Sequence, residues 1–173
     1  NWKLYMENVR DTYHASLLHL FYTTFRLNRL NQKGGLIIGD GGRAHASFTL
    51  IDTDAGGNEY EDAKMRSAAF AFRLAAPEVL ESVDELGDGV SIQILSVFPN
   101  LLLQQIKNCL AVRQTIPLGL DRTAVNWTLF GFATDDEAMT RHRLRQNNIF
   151  GPGGFLGIED NEALKFMSKR RTG

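Results

Sequence analysis

The chain has 173 residues, of which 43% are hydrophobic and 23% are charged, and its formal net charge at pH 7 is −1. A chain of this length and hydrophobic content can bury a core, so we expect one globular domain. Dispersed charges offer no basic surface for a nucleic-acid backbone, and no apolar run approaches the roughly 20 residues of a membrane span, so neither partner is predicted.

The first predicted element is a helix over residues 2–30. Polar and apolar residues alternate there at helical spacing, and Gly34 and Gly35 end the pattern. The spacing is interrupted around His14 and His19. Because the chain opens on NWKLYMENV, which already has the pattern of ordered structure, we expect it to be a fragment of a longer protein.

Residues 35–51 follow a different period, which predicts two strands joined by the glycine-rich turn at 39–42. A loop is predicted at 55–58. Residues 59–86 are predicted to be helical in at least two pieces, with Pro77 at the start of the second piece.

Strand patterns then occupy residues 90–98, 101–117 and 122–133, with a break near Asn108. Short loops between adjacent strands imply antiparallel pairing. Residues 133–150 are predicted to form a surface helix with Thr134 as its N-cap, and a last helix is predicted to begin near Glu159 after the turn at 151–154. The sum is an α+β fold with helices packed on one antiparallel sheet.

Two of the four histidines lie in the stretch DTYHASLLH, residues 11–19. At about 100° per residue, positions five apart on a straight helix point roughly 140° away from each other, so His14 and His19 converge only if the helix bends between them. Asn8, Asp11 and His14 instead share one helical face. That polar row is either solvent-facing or a buried site, and the histidine spacing alone is more typical of two unrelated histidines than of a metal site.

A second motif, FGPGGFLGIEDNEAL at residues 150–164, places Asp160 near the start of a helix after a glycine-rich turn. Two imidazoles and one carboxylate are the ligand set of a facial non-haem iron(II) site. In such a site three protein ligands hold one face of the metal, and the opposite positions stay open for dioxygen and substrate. The second motif therefore raises the odds that the histidines bind a metal.

Together, NWKLYMENVRDTYHASLLH and FGPGGFLGIEDNE resemble the catalytic domain of the large (alpha) subunit of Rieske-type aromatic-ring-hydroxylating oxygenases. Within that family the chain is most similar to the branch acting on aromatic carboxylates, such as salicylate, anthranilate and terephthalate oxygenases. The resemblance covers essentially the whole chain. It implies a helix-grip (START-like) α+β fold, in which an antiparallel sheet grips helices.

The resemblance also implies a role for each motif residue. The implied iron(II) ligands are His14, His19 and Asp160. Asp11 would be the carboxylate that links an iron ligand to the Rieske cluster of a neighbouring subunit, and its place one turn before His14 suits an acceptor for that ring's other N–H. Phe150 would line the substrate pocket near the iron, and Asn8 would lie near the iron as well.

The cofactor implied by the resemblance is mononuclear Fe(II), and the implied substrates are dioxygen and an aromatic acid. Electrons would come from NAD(P)H through a reductase, usually a ferredoxin, and then a Rieske 2Fe-2S cluster. The product would be a cis-dihydrodiol or a ring-hydroxylated acid. A Rieske cluster needs two cysteines, and Cys109 is the single cysteine, so we expect the Rieske domain, like the C-terminal end of the catalytic domain, to lie outside residues 1–173. A single cysteine and no visible secretory signal fit the cytoplasm. The resemblance implies an alpha-subunit trimer, often with small beta subunits.

Arg113 is a further candidate for substrate binding. Leu110, Val112 and Ile116 form one side of its predicted strand, whereas Arg113 shares the other side with small residues. Small neighbours leave room for a ligand, and a guanidinium can bind a carboxylate through two hydrogen bonds. The alternative is that Arg113 lies at a sheet edge and pairs with an acidic residue.

The remaining candidates receive no function from the sequence. His45 is expected to be exposed or satisfied within a sheet, His142 to lie on a solvated basic helix face, and residues 169–171 to be a solvated terminal run.

The competing function is a hydrophobic-ligand-binding helix-grip module without metal, in which the histidines are incidental polar residues. Metal binding would separate the two functions.

Overall fold

One antiparallel sheet organises the structure, and each of its strands pairs with the next along the chain. The computed structural model describes residues 1–11, 13–25, 33–50, 59–62, 64 and 74–169. Within these residues the strands are β1 (Gly34–Ile38), β2 (Ala44–Leu50), β3 (Val90–Val97), β4 (Leu101–Ile106), β5 (Cys109–Pro117) and β6 (Thr123–Phe130). The predicted antiparallel pairing is confirmed, and the predicted break near Asn108 separates β4 from β5.

The helices in the described residues are α1 (Trp2–Arg10), α2 (Ala15–Leu18), α3 (Leu20–Thr24), α4 (Glu59–Asp62), α5 (Glu137–Phe150) and α6 (Phe155–Lys169). The predicted first helix is therefore divided into three pieces, and its final residues 26–30 lie outside the described part of the chain. None of the described helices is long and apolar enough to span a bilayer.

Turns in the first half of the chain partly follow the sequence. The predicted hairpin turn is a short 3-10 segment, Asp40–Gly42, in which Gly41 has a φ of 72° that favours glycine. Pro77 begins only one 3-10 turn, Pro77–Leu80, so the helix predicted there is wrong. The predicted loop at 55–58 and much of the predicted helical segment before Pro77 lie outside the described residues.

The ends of α5 and α6 correct two predictions. Asp136, not Thr134, is the N-cap of α5, because its side-chain oxygen accepts a hydrogen bond from the backbone N–H of Met139 at 2.7 Å. The last helix begins at Phe155 rather than near Glu159. The turn between the helices needs Gly154, because a Cβ there would collide with a backbone carbonyl at the end of α5.

The helices pack on one face of the sheet, which is the helix-grip arrangement. On β5 the face with small residues is the buried one: Cys109, Ala111, Arg113 and Thr115 are each at most 7% exposed. One apolar cluster joins α3, α5 and α6 to the β4–β5 end of the sheet, and a smaller cluster joins α1 to β4. Both clusters border the cavity described below.

Buried ion pairs hold α5 against the loops beside the sheet. Arg143 is 6% exposed and pairs with Asp135, at 2.7 Å from its Nε, and with Glu85. Its guanidinium also donates to the carbonyl of Asn108 at 2.7 Å. The basic helix predicted to be solvated is therefore partly buried at Arg143, and the neighbouring His142 contacts the carbonyl of Glu81 at 3.3 Å.

Gln146 is the other anchor of α5, and its side chain is fully buried. Its Oε1 accepts from the backbone N–H of Asn108 at 2.8 Å, and its Nε2 donates to the carbonyls of Val79 and Glu81 at 3.0 and 2.8 Å. One amide thus satisfies backbone groups from both the β4–β5 turn and the segment before β3.

We expect Gln146→Leu to lower the free energy of unfolding by roughly 2–3 kcal/mol, because it leaves the buried N–H of Asn108 without an acceptor. Urea denaturation measures the change. Gln114→Leu makes the same substitution at an exposed position of β5 and should change stability by less than about 0.5 kcal/mol. Equal stability of the two variants would contradict an anchoring role for Gln146.

Candidate metal centre and its cavity

A break in the N-terminal helical segment brings His14 and His19 together. His14 precedes α2, and His19 lies between α2 and α3 with extended backbone angles of φ −85° and ψ 93°. The two rings approach to 5.2 Å between centroids. The bend that the sequence requires for convergence is therefore present at His19 itself.

Asp160, in the second turn of α6, faces both histidines. Its Oδ1 lies 3.6 Å from Nε2 of His14 and 3.5 Å from Nε2 of His19. One ligand atom from each of these three residues lies within 4.8 Å of the others. Asp160 Oδ1 is buried and has no hydrogen-bond partner in the described part of the chain, which is the state expected of an oxygen that serves a bound cation.

The charges of Asp160 and His14 depend on each other, because each shifts the pKa of the other. Burial disfavours the ionised form of Asp160, but His14, His19 and Asn8 outweigh it and hold the pKa of this carboxyl below its usual value. Asp160 in turn raises the pKa of His14 against the effect of burial. An ionised carboxylate between two imidazoles forms a donor set that fits a divalent metal, and protons would compete with such a metal for His14.

His19 has a carboxylate partner that the sequence analysis did not assign. Its Nδ1 lies 3.0 Å from Oε2 of Glu159, and Oε1 of Glu159 accepts from the backbone N–H of Phe21 at 2.9 Å. The ring of Tyr22 packs edge-on against His19 at 5.6 Å between centroids. The adjacent acids in IEDNE could have suggested a second carboxylate, but their targets depend on tertiary contacts.

Asp11 and Asn8 approach the same cluster from α1. Asp11 does not continue the helix to His14 as predicted, because α1 ends at Arg10 and Asp11 is its C-cap. Asp11 still lies near His14, with Oδ2 3.6 Å from Nδ1, while its Oδ1 accepts from the backbone N–H of Tyr13 at 2.8 Å. Its side chain is 49% exposed, whereas Nδ2 of Asn8 is buried and has no partner among the described residues.

The cluster lies on the wall of a cavity of about 760 Å³ between the helices and the sheet. Phe150, the last residue of α5, is 2% exposed and lines this cavity. Asn8 and Asp11 line it too. The sheet contributes an apolar wall and one cation: Ile92, Ile94, Ile106, Val125, Trp127 and Arg113.

Arg113 lies in the interior of the sheet, not at its edge, since β5 pairs with both β4 and β6. Its guanidinium stacks on Trp127 at 4.2 Å from the ring centroid, and NH1 donates to the hydroxyl of Tyr5 at 3.2 Å. Among the described residues no carboxylate pairs with it, and its Nε is buried without a partner. The sheet-edge position in that alternative is therefore wrong.

Two remaining sequence candidates lie elsewhere. His45 is half-buried in β2, where burial lowers its pKa, and it is not part of the histidine–carboxylate cluster. Of the terminal basic run, residues 170 and 171 lie outside the described residues.

This site and fold define a class of protein. The chain belongs to the family of ring-hydroxylating alpha subunits, whose catalytic-domain model matches residues 1–169. The helix-grip fold is also that of a crystal structure of naphthalene 1,2-dioxygenase from Rhodococcus sp. bound to indole, with a TM-score of 0.72 and 18% identity over all of this chain and 42% of that one.

Relatives with higher identity are large subunits of oxygenases. The chain is 48% identical over 173 residues to alpha subunit 2 of the terminal oxygenase component of terephthalate 1,2-dioxygenase from Comamonas sp.. It is 38% identical to the large subunit of anthranilate 1,2-dioxygenase from Burkholderia cepacia and 34% identical to the large oxygenase component of salicylate 5-hydroxylase from Ralstonia sp., each over 170 residues or 98% of this chain. It spans 42%, 40% and 40% of the lengths of these three relatives.

Proposed function

We propose that this chain is the catalytic part of an oxygenase that hydroxylates or cis-dihydroxylates the ring of an aromatic carboxylate. One observation carries the proposal: His14, His19 and Asp160 offer ligand atoms within 4.8 Å of one another on a cavity that also contains Arg113. A binding module for an apolar ligand would not need either feature.

The donor set fits iron(II). Two neutral imidazoles and one carboxylate carry a single negative charge, and three ligands from one side leave room for other molecules. The unsatisfied Oδ1 of Asp160 supports the fit. Iron(II) held by His14, His19 and Asp160 would supply the site where dioxygen is activated beside the ring.

Residues of the cavity would bind and orient the substrate. Apolar side chains such as Phe150 and Ile106 exclude water from the ring, and Arg113 binds its carboxylate. The ring of Trp127 stacks on the guanidinium of Arg113 and fixes its orientation. The hydroxyl oxygen of Tyr5 accepts a hydrogen bond from Arg113, so the hydroxyl proton of Tyr5 is available to donate to the substrate carboxylate. The three relatives are named for terephthalate, anthranilate and salicylate, each of which carries a carboxylate.

Electrons would come from outside this chain. The Comamonas relative is named a terminal oxygenase component, and the chain spans 42% of its length. We infer that the whole protein also contains a Rieske 2Fe-2S domain and receives electrons from a reductase or ferredoxin. Asp11 is half-exposed beside His14, which suits a carboxylate that bridges to a redox centre in a neighbouring alpha subunit of a trimer.

The parent protein, reconstituted anaerobically, should bind about one iron(II) per chain, and His14→Ala and Asp160→Ala should each bind it at least about tenfold more weakly, since each removes a ligand. Metal analysis after gel filtration measures the stoichiometry. His45→Ala removes a histidine outside the cluster and should bind iron like the parent. A folded parent without specific iron would favour the metal-free binding module.

Arg113→Gln should raise the KM for an aromatic acid roughly 10–100-fold, because a charged hydrogen bond to the carboxylate is lost. The KM for a neutral analogue of the same ring should change little. Steady-state turnover by the full-length oxygenase with its electron donors measures both constants. Arg122→Gln, at an exposed position between β5 and β6, is the matched control, and equal effects on the two substrates would count against carboxylate recognition.

Asp11→Asn should leave iron(II) content nearly unchanged while turnover falls by about 100-fold or more, because the amide is a poorer acceptor for the His14 ring and carries no charge. Iron analysis and turnover on the same preparation make the comparison. Glu7→Gln changes a neighbouring exposed acid of α1 and should affect neither quantity. Parallel loss of iron and activity would instead make Asp11 only a support for the metal ligand.

A further inference from the structure

We propose that Glu159 is a positioning residue that fixes the orientation and the protonated nitrogen of His19, so that the other ring nitrogen is free for metal. This inference rests on the proposed function, since it concerns the same metal site. It assigns a role to an acidic residue that is not itself one of the three candidate ligands.

Both oxygens of Glu159 are engaged at the start of α3. Oε2 lies 3.0 Å from Nδ1 of His19, and Oε1 accepts from the backbone N–H of Phe21 at 2.9 Å. His19 is only 5% exposed, so water does not offer an equivalent partner. The carboxylate therefore holds one side chain and one backbone group at the same time.

The proton on His19 follows from this contact. A carboxylate oxygen only accepts hydrogen bonds, so Nδ1 of His19 must be the donor. In the neutral ring the proton is then on Nδ1, and Nε2 keeps its lone pair. Nε2 is the nitrogen that faces Oδ1 of Asp160 at 3.5 Å, on the side of the three-residue cluster.

The second contact of Glu159 concerns the helix break. His19 is the N-cap residue of α3 but makes no side-chain capping bond, so the first N–H groups of α3 need another acceptor. Glu159 supplies it to Phe21. Glu159 thus both orients His19 and stabilises the start of α3. Because the break at His19 brings the two histidine rings together, Glu159 also supports the approach of His14.

Glu159→Gln separates these roles with little change in shape. Glutamine has a single side-chain oxygen, and if that oxygen accepts from Phe21, its NH2 group faces Nδ1 of His19. Nδ1 must then accept, which moves the proton to Nε2 and blocks the nitrogen that faces Asp160. Glu162→Gln is the matched control, because Glu162 lies on the same helix, is half-exposed and pairs only with Lys165 in the described residues.

The first measurement is nitrogen-15 NMR of histidine-labelled, metal-free protein, which reports the protonated nitrogen of His19. The parent and Glu162→Gln should carry the proton on Nδ1, and Glu159→Gln should carry it on Nε2. The second is iron(II) titration, in which Glu159→Gln should bind about 10–100-fold more weakly than both other proteins. A general structural role for Glu159 would lower stability without exchanging the two nitrogens.

A parent with the His19 proton on Nε2 would overturn the proposal, whether or not the variant folds. Unchanged nitrogen signals and unchanged iron(II) affinity in Glu159→Gln would overturn it as well. A parent that carries the proton on Nδ1 but binds no iron(II) would overturn the proposed function and support only the orientation of His19 by Glu159.

Discussion

The candidate site depends on the break in the N-terminal helical segment at His19. A continuous helix would direct two histidines five residues apart to different sides. With the backbone of His19 extended, α2 ends and α3 starts in a new direction, and both rings reach one point. The break leaves backbone groups without helical partners, so it needs an acceptor from elsewhere in the fold, and Glu159 of α6 provides one.

Two consecutive acids of α6 serve different targets because neighbouring positions on a helix point about 100° apart. Glu159 reaches His19 and Phe21, whereas Asp160 faces the space between the histidines. The position of α6 is in turn set by the tight turn at Gly154, and α5 is anchored to the sheet through Gln146. Groups far from the cavity therefore fix where Asp160 lies.

The sequence predicts most of the sheet because strand period and loop length are local properties. It predicts the α5 cap less well, since Thr134 and Asp136 are both good capping residue types, and the structure places the capping bond on Asp136, which accepts from the N–H of Met139. The candidate metal ligands His14, His19 and Asp160 are predicted from the resemblance of two sequence motifs to a known family, and the histidine spacing alone would not have identified them. The parts played by Glu159 and by Tyr5 depend on contacts across more than 100 residues of sequence, which no local pattern encodes.

The cavity of the proposed enzyme would contain two positive centres. One is the metal held by the helices, and the other is Arg113 on the sheet. Because they lie on opposite walls, a buried arginine could bind the acid group of the substrate away from the metal. A divalent metal bound with the single charge of Asp160 would stay cationic, and an aromatic acid could then approach it through its carboxylate instead of its ring. Arg113 stands on the sheet with its charge unpaired by any described acid, on a flat surface provided by Trp127. A buried cation without a counter-ion is costly, and a substrate carboxylate bound there would remove that cost. The proposed binding mode would hold the acid group at the sheet and leave the ring to face the histidines.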